Sequence, residues 1–190
     1  ALGKLPRMGF DAATLSEFVS SGEEAWRHLD SPACAGKKVL WLAWEDGYLG
    51  FENGRYLDGL DIELAGADTC DLVLAQGTQI IRDGRGDVAY DLLGSGVVGG
   101  ALGEALRVCA RRGVELLCAN PDFVATQPDG SAGYMPGNVA RRYAELGGSV
   151  RHFGKPHRFA FDAACRALGG IPRERICHVG DSLAHDIAGA

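Results

Sequence analysis

Short apolar runs alternate with segments of helical periodicity along most of this chain. An apolar run bounded by turn residues predicts a buried strand, and apolar residues recurring every three or four positions predict a helix. The predicted strands are residues 37–44, 71–75, 114–119 and 150–153. The predicted helices are residues 23–29, 90–111, 139–146 and 158–168. Strands that alternate with helices predict an α/β fold.

Individual residues give more detailed predictions for the N-terminal segment, for the starts of two helices and for the last helix. Residues 1–10 are expected to be the end of a helix that runs into a turn, and residues 15–19 a short strand. Ser20 or Ser21 is expected to cap the first complete helix, and Asn138 the helix at residues 139–146. The apolar side of the last helix is expected to consist of four residues: Phe159, Ala163, Cys165 and Leu168.

The last forty residues carry the clearest candidate chemistry. Lys155 follows a predicted strand, and Asp181 follows another apolar run at residues 175–179, which suits a buried parallel strand. Loops at the carboxyl ends of parallel strands share one crevice, so Lys155 and Asp181 are expected to meet. Asp186 lies five residues further on and can face the same point. An ammonium group beside two carboxylates suits the binding of phosphate together with Mg²⁺.

Each of these residues also has an ordinary structural interpretation. Asp181 or Ser182 can cap the final helix, with Asp186 on its solvated face. Lys155 can be a surface charge, as most lysines are. His157 and His185 lie beside these groups, and the sequence assigns them no role.

Composition excludes several classes of function. The formal net charge of −6 and scattered Lys and Arg residues give no basic stripe, so nucleic acid is not an expected partner. The longest strongly apolar stretch, residues 39–44, is far shorter than the roughly 20 residues of a membrane helix. Six cysteines without a C-x-x-C pair are typical of a reduced protein, so a cytoplasmic location is expected.

A glycine-rich stretch, residues 94–99, matches the G-x-G-x-x-G pattern of dinucleotide-binding proteins. That pattern should follow a buried strand, but the preceding residues 87–93 include two acids. Asp122 lies somewhat beyond the position expected for the ribose-binding carboxylate. A glycine-rich start to a helix is therefore favoured, and a dinucleotide-dependent oxidoreductase stays an alternative.

Several ordered motifs together resemble one family. Gly154-Lys155-Pro156 and the later segment at residues 179–190 resemble the third and fourth motifs of the haloacid dehalogenase superfamily of phosphohydrolases. Residues 19–23, 118–122 and 129–138 are similar to its class IIA branch, which contains phosphatases of the nitrophenyl phosphate, phosphoglycolate and pyridoxal phosphate types. The resemblance covers nearly the whole chain.

The resemblance implies a Rossmann-like core with an inserted α/β cap. Residues 1–34 would be a first core piece without its N-terminal strands, and residues 35–148 the cap. Residues 149–190 would be a second core piece, truncated at its C-terminus. Caps of this branch often mediate dimers, so a homodimer through the cap is one arrangement that the resemblance allows.

The resemblance also implies a role for each candidate residue. Lys155 would steady the phosphate and the charge of the nucleophile, and Asp181 would ligate Mg²⁺. Asp186 would complete or orient the metal shell. Asn120 and Asp122 would lie on the cap loop that faces the substrate, a small phosphorylated metabolite.

One departure from the family concerns the nucleophile. The family's reaction begins with the first aspartate of an Asp-x-Asp motif, and no Asp-x-Asp occurs in these 190 residues. The motif is expected upstream of residue 1, so the parent protein is expected to be a Mg²⁺-dependent phosphatase and this fragment to be inactive. The alternative is a non-catalytic protein that binds a phosphorylated metabolite.

Overall fold

The computed structural model of the chain describes residue 9, residues 11–15 and residues 17–190. The helix end predicted at residues 1–10 lies outside the described residues, apart from Gly9, which is in a turn. The strand predicted at residues 15–19 is not found in the described part of that stretch, which is irregular. A strand needs a hydrogen-bonded neighbour, and no strand among the described residues pairs with this stretch.

Nine strands and five α-helices make up the regular structure of the described residues. The strands are β1 Lys37–Ala43, β2 Ile62–Leu64, β3 Leu72–Ala75, β4 Ile80–Arg82, β5 Asp87–Ala89, β6 Glu115–Cys118, β7 Val124–Thr126, β8 Ala132–Tyr134 and β9 Val150–His152. The helices are α1 Ser21–Leu29, α2 Leu92–Ser95, α3 Gly100–Arg111, α4 Gly137–Glu145 and α5 Arg158–Ala167. Short 3-10 turns lie at Ala12–Thr14, Tyr48–Gly50, Asn53–Arg55 and Arg173–Arg175, and a π-helical turn at Leu183–Ile187.

Seven strands form one mixed sheet in the order β5-β4-β1-β3-β6-β9, with β2 also paired to β1. The pairs of β1 with β2 and β3, of β3 with β6, and of β6 with β9 are parallel. Strands β4 and β5 extend the sheet in antiparallel fashion, and β7 and β8 form a separate hairpin. The predicted α/β class is confirmed.

Both faces of the sheet are covered by helices, as the continuous apolar runs of β1 and β3 require. Leu40 and Leu42 of β1 pack in a cluster with Leu102 and Leu106 of α3 and with Tyr143 of α4. Successive strand residues point to opposite faces. The alternate β1 residues Val39, Trp41 and Ala43 therefore lie in a second cluster with Ala25 and Leu29 of α1.

Two of the predicted helix starts are corrected by the structure. The single helix predicted at residues 90–111 is divided into α2 and α3, because Gly96 takes a left-handed conformation (φ 69°) that ends α2. Asn138 does not cap α4, which begins at Gly137. Its side-chain amide instead donates to the carbonyl oxygens of Phe123 (2.6 Å) and Met135 (3.1 Å). By contrast, Ser20 caps α1 as predicted, since its hydroxyl accepts from Glu23 N at 3.2 Å.

The C-terminal prediction fails in one important place. Residues 175–179 do not form a strand in the structure, and Val179 is 88% exposed. Among the described residues no strand lies beside them to supply the hydrogen bonds that an apolar run alone cannot provide. Leu168, predicted on the apolar side of α5, is also exposed.

Strand β9 lies just beyond residue 148, where the boundary between cap and core was predicted. It pairs with β6, so the sheet of the region predicted as the cap continues past residue 148. The division into core and cap stays a prediction. None of the described helices is long and apolar enough to cross a bilayer.

Candidate active site

The loops that follow β6 and β9 lie side by side, since these strands are parallel neighbours in the sheet. The first loop carries Asn120-Pro121-Asp122 and the second carries Lys155. Phe153 is fully buried and anchors the second loop, with its amide donating to Cys118 O at 3.1 Å. The loops are in close contact at Gly154, where an added Cβ would lie 2.6 Å from Pro121 Cγ.

Lys155 forms an ion pair with Asp186, and their Nζ and Oδ1 atoms are 2.5 Å apart. The lysine side chain is 48% exposed, whereas that of Asp186 is only 1% exposed. His178 Nε2 lies 2.9 Å from the same Oδ1, and Ser182 N donates to Oδ2 at 3.1 Å. Gly180 makes room for this carboxylate, because a Cβ there would be 2.5 Å from Oδ2.

The surroundings of Asp186 keep it negatively charged. The ammonium group of Lys155, followed by the hydrogen bond from His178, holds the pKa of Asp186 far below its usual value. Burial of the carboxyl acts in the opposite direction but is outweighed. Asp186 therefore provides a fixed anion that orients the lysine ammonium.

Asp181 occupies a different environment from the one expected. The described part of the chain shows no hydrogen bond or ion pair that joins it to Lys155 or to any other group, and its side chain is exposed. The physical reason is the missing strand at residues 175–179, since no strand end delivers Asp181 into the crevice. The structure thus brings Lys155 together with Asp186, and the metal role of Asp181 stays a prediction.

The chemistry of these carboxylates can be compared with what Mg²⁺ requires. Mg²⁺ is usually bound by one or two carboxylates, with water and substrate phosphate supplying the other oxygens. The Asp181 oxygens have no hydrogen-bond donor in the described structure, so they can serve as ligands. Both oxygens of Asp186 already accept hydrogen bonds. Within residues 17–190 and the other described positions, no group of three or more His, Cys, Asp or Glu residues could hold a metal. The one feature that fits Mg²⁺ is the free carboxylate of Asp181, which would be its protein ligand, whereas Asp186 is occupied as the partner of Lys155.

Asn120 and Asp122 line the same cavity as Lys155. Its volume is about 440 Å³, and we call it the lysine cavity. The side-chain oxygen of Asn120 accepts a hydrogen bond from Asp122 N at 3.1 Å, which stiffens the loop. His185 Nε2 lies 3.9 Å from Asp122 Oδ1, so the loop after β6 also approaches the C-terminal segment. The two substrate residues predicted from the resemblance are thus neighbours of Lys155.

Sequence reasoning missed His178, which lines the lysine cavity and bonds to Asp186. The only indication in the sequence was that His178 is a polar residue within the mostly apolar run at residues 175–179. The hydroxyl side chains of Ser20 and Ser21 also line the cavity, although only a capping role was considered for them. His157, to which no role was assigned, stacks on His152 with ring centroids 4.0 Å apart.

The glycine-rich stretch at residues 94–99 lacks the context of a dinucleotide site. It follows β5, an exposed antiparallel strand at the edge of the sheet, and not a buried parallel strand. Asp91 Oδ1 accepts from Gly94 N at 2.7 Å and caps the short helix α2. This geometry supports the interpretation as a glycine-rich start to a helix.

Comparison with known proteins identifies the same family that the motifs indicate. The sequence profile of the HAD-hydrolase-like family matches residues 152–190, which include Lys155, Asp181 and Asp186. No curated protein sequence matches the chain.

Solved structures of similar fold cover almost the whole chain. A haloacid dehalogenase-like hydrolase from Brucella suis 1330 is 24% identical with a TM-score of 0.73, over 99% of this chain and 63% of that one. A p-nitrophenyl phosphatase from Archaeoglobus fulgidus is 21% identical with a TM-score of 0.65, over 99% and 62%. A glycerol phosphate phosphatase from Mycobacterium tuberculosis, solved in complex with calcium, is 20% identical with a TM-score of 0.58, over 99% and 48%.

The resemblance to the haloacid dehalogenase superfamily is therefore confirmed. The family profile covers the C-terminal motif, and the described fold is that of haloacid dehalogenase-like hydrolases. The chain spans 63% and 62% of the length of the first two of these structures.

Proposed function

We propose that this haloacid dehalogenase-like chain belongs to a Mg²⁺-dependent phosphohydrolase of the class IIA branch that acts on a small phosphorylated metabolite. The observation that carries the proposal is the ion pair between Lys155 and the buried Asp186, at a cavity that Asn120 and Asp122 also line. The phosphatases among the structures of similar fold support the reaction class.

Lys155 would bind the phosphate group of the substrate. An ammonium group has three hydrogen-bond donors. Asp186 accepts one of them, so two remain for phosphate oxygens. Because Asp186 is buried and bonded on both oxygens, it holds the ammonium in one place before the substrate arrives. Asp186 is thus a positioning residue for Lys155 in this arrangement.

Asp181 would hold the metal through its free carboxylate oxygens. Bound Mg²⁺ would neutralise negative charge on the phosphoryl oxygens. Asn120 and Asp122 would bind the remainder of the substrate, because they line the lysine cavity together with Lys155. Asp122 carries a negative charge, which suits hydroxyl or amine donors on the substrate and not a second phosphate.

The attacking carboxylate would come from outside these residues. In the family's reaction an aspartate attacks phosphorus and forms a phospho-aspartate, and no Asp-x-Asp occurs in the 190 residues. Loss of one member of a catalytic unit typically removes most of the rate. We therefore propose that the 190-residue chain binds phosphate without hydrolysing its esters.

Calorimetric titration of the chain with inorganic phosphate in the presence of Mg²⁺ tests the phosphate site. We expect Lys155→Met to weaken binding by about tenfold or more, the equivalent of one charged hydrogen bond. Lys38→Met is the matched control, since Lys38 is an exposed lysine whose side chain is outside the cavity. Equal affinity in the two variants would contradict the proposed role of Lys155.

A turnover assay tests the remainder of the proposal. A longer form of the protein that includes an upstream Asp-x-Asp motif should hydrolyse p-nitrophenyl phosphate with Mg²⁺ and lose this activity in EDTA. Robust turnover by the 190-residue chain alone would show that the missing-nucleophile argument is wrong.

A non-catalytic protein that binds a phosphorylated metabolite is the second candidate. It is favoured by the lack of Asp-x-Asp in these residues. The encoded sequence just before residue 1 decides between the candidates. An apolar run ending in Asp-x-Asp supports the hydrolase, and a sequence without it supports the binding protein.

A further inference from the structure

Two cysteines are in contact between helix α3 and the sheet, and neither lines the lysine cavity. The sulfur atoms of Cys70 and Cys109 are 3.7 Å apart, and both side chains are fully buried. Cys70 lies two residues before β3, and Cys109 lies in the last turn of α3. In the part of the chain that the structure describes, no other two cysteine sulfurs are in contact. No role in the proposed function has used this pair.

Arg112 holds the loop that carries Cys70 against the end of α3. Its Nη1 donates to the carbonyl oxygens of Ala67 and Cys70, both at 2.9 Å, and lies 3.8 Å from the sulfur of Cys70. The sulfur of Cys109 lies 3.7 Å from the same carbonyl oxygen of Ala67. The guanidinium group therefore fixes the loop and places a positive charge beside one of the two sulfurs.

The two thiols differ in acidity. The hydrogen bond from the S–H of Cys109, followed by the guanidinium of Arg112, lowers the pKa of Cys70, although burial acts in the opposite direction. The same hydrogen bond, together with burial, raises the pKa of Cys109. Cys70 is therefore the thiol that becomes a thiolate, which is the reactive form, and Cys109 is the thiol that keeps its proton.

Exposed residues flank the buried pair along the chain. Asp68 and Thr69 come just before Cys70, and Arg112 comes three residues after Cys109. A local opening of the loop at Asp68 and Thr69 is enough to let a small oxidant reach the sulfurs. A disulfide bond is about 2.05 Å long, so the sulfurs must approach each other by roughly 1.7 Å. The loop can shift by this amount more readily than the strand or the helix.

We propose that Cys70 and Cys109 form a reversible disulfide bond when the protein meets a peroxide, and that Cys70 reacts first. The thiolate of Cys70 would attack one oxygen of hydrogen peroxide, so that the O–O bond breaks and a sulfenic acid forms. The thiol of Cys109 would then attack the oxidised sulfur, which forms the S–S bond and releases water. The two thiols together lose two electrons and two protons, and the peroxide is reduced to two molecules of water. A dithiol reductant would reverse the reaction by thiol–disulfide exchange.

The disulfide would join the end of α3 to the start of β3, which are held together in the reduced protein only by non-covalent contacts. A cross-link between residues 39 positions apart removes conformations of the unfolded chain. The oxidised protein should therefore be more resistant to unfolding than the reduced one. The bond would form whether or not the chain binds phosphate, because neither cysteine lines the lysine cavity.

Peptide mapping of the unaltered chain tests the pairing. The reduced chain is treated with hydrogen peroxide, blocked with N-ethylmaleimide in urea and digested with trypsin. The six cysteines fall on six tryptic peptides, since a Lys or Arg lies between each cysteine and the next. We expect the main linked product to join Cys70 to Cys109 and to separate in dithiothreitol. The exposed Cys177 shows whether the oxidant has acted, so oxidation of Cys177 without a link between Cys70 and Cys109 would overturn the proposal.

Thermal melting supplies a matched test with variants. Peroxide should raise the melting temperature of the unaltered chain by roughly 5–15 °C, and dithiothreitol should reverse the rise. Cys70→Ala should show no rise. Cys34→Ala is the control and should keep the full rise, because Cys34 is also buried but has no sulfur in contact with it among the described residues. A rise that Cys70→Ala retains, or that Cys34→Ala loses, would overturn the assignment to this pair.

Trapping with dimedone identifies the thiol that reacts first. In Cys109→Ala the sulfenic acid at Cys70 has no thiol to attack it, so dimedone should label Cys70 during peroxide treatment. In Cys70→Ala dimedone should leave Cys109 unlabelled, and the reverse pattern would overturn the assigned order. The peptide map of the unaltered chain decides the pairing even where a variant fails to fold.

Discussion

The contact between Gly154 and Pro121 offers a sharp test of how the candidate site is built. Gly154 precedes Lys155, and Pro121 lies between the two predicted substrate residues of the neighbouring loop. In Gly154→Ala the new Cβ would lie 2.6 Å from Pro121 Cγ, nearer still to Pro121 Cδ, and 3.3 Å from Ser21 Cβ. The methyl group therefore has to push apart the two loops that line the lysine cavity.

The size of the effect follows from these distances. Carbon atoms in contact are normally about 3.5–4.0 Å apart, so the loops must separate by roughly 1 Å. Overpacking of this kind costs about 1–3 kcal/mol of folding free energy. For a chain of this length the melting temperature should fall by roughly 2–12 °C. A displacement of about 1 Å at a catalytic site can also reduce the rate about 100-fold in the active, longer protein.

Circular dichroism melting and calorimetric phosphate binding measure both consequences. Gly22→Ala is the matched control, because its Cβ would meet only Tyr56 Cε2 at an ordinary 3.9 Å and would lie in helix α1. We expect this control to keep its phosphate affinity and to keep or slightly raise its melting temperature, since alanine favours a helix more than glycine does. A Gly154→Ala protein with unchanged melting temperature and affinity would refute the reasoning, since the two loops would then have room for the methyl group.

Three further predictions concern stability. Asp186→Asn should flatten the acid limb of the plot of unfolding free energy against pH. Lys155 and His178 lower the pKa of Asp186, so its contribution to stability is complete above the usual carboxyl pKa and is lost as pH falls below that value towards the lowered one; urea unfolding from about pH 5 down to about pH 2 measures this. Burial, and then His157, lowers the pKa of His152 to about 4, so the unfolded chain takes up the proton first and stability should fall between about pH 6.5 and pH 4. In His152→Phe the free energy of unfolding should fall less steeply over this pH range. An equally steep fall would show that His152 is not the cause. The hydroxyl of Tyr143 donates to Val114 O at 2.6 Å in the core, so Tyr143→Phe should lower the urea-derived free energy of unfolding by about 1–3 kcal/mol.

The elements that the sequence predicted well are those whose pattern has a local cause. Strand β1 is buried on both faces of the sheet from Val39 onwards, which requires an uninterrupted apolar run, and residues 39–44 provide one. The cap of α1 is equally local, since Ser20 needs only the amide three residues later. The order of the motifs likewise revealed the resemblance to the haloacid dehalogenase superfamily, because each motif is a short run of neighbouring residues; the family profile matches the last of them, at residues 152–190.

The predictions that failed depended on neighbours distant in sequence. Residues 175–179 are apolar enough for a strand, but a strand forms only beside another that pairs with it, and the described sheet has none there. Asn138 had two possible hydrogen-bonding arrangements, and the nearby carbonyl of Phe123 decided between them. Neither the missing strand nor the hydrogen bonds of Asn138 can be predicted from the local sequence.

The sequence by itself therefore determined the α/β class and the resemblance to the haloacid dehalogenase superfamily, and it supplied most of the candidate residues. Only the tertiary structure decided that Lys155 is paired with Asp186 and that Asp181 has no such partner. It alone also joined Tyr48 to Gln127, which are 79 positions apart in the chain. The physical reason is that periodicity and capping act over a few residues, whereas the direction of a side chain in a loop depends on whatever the rest of the fold places against it.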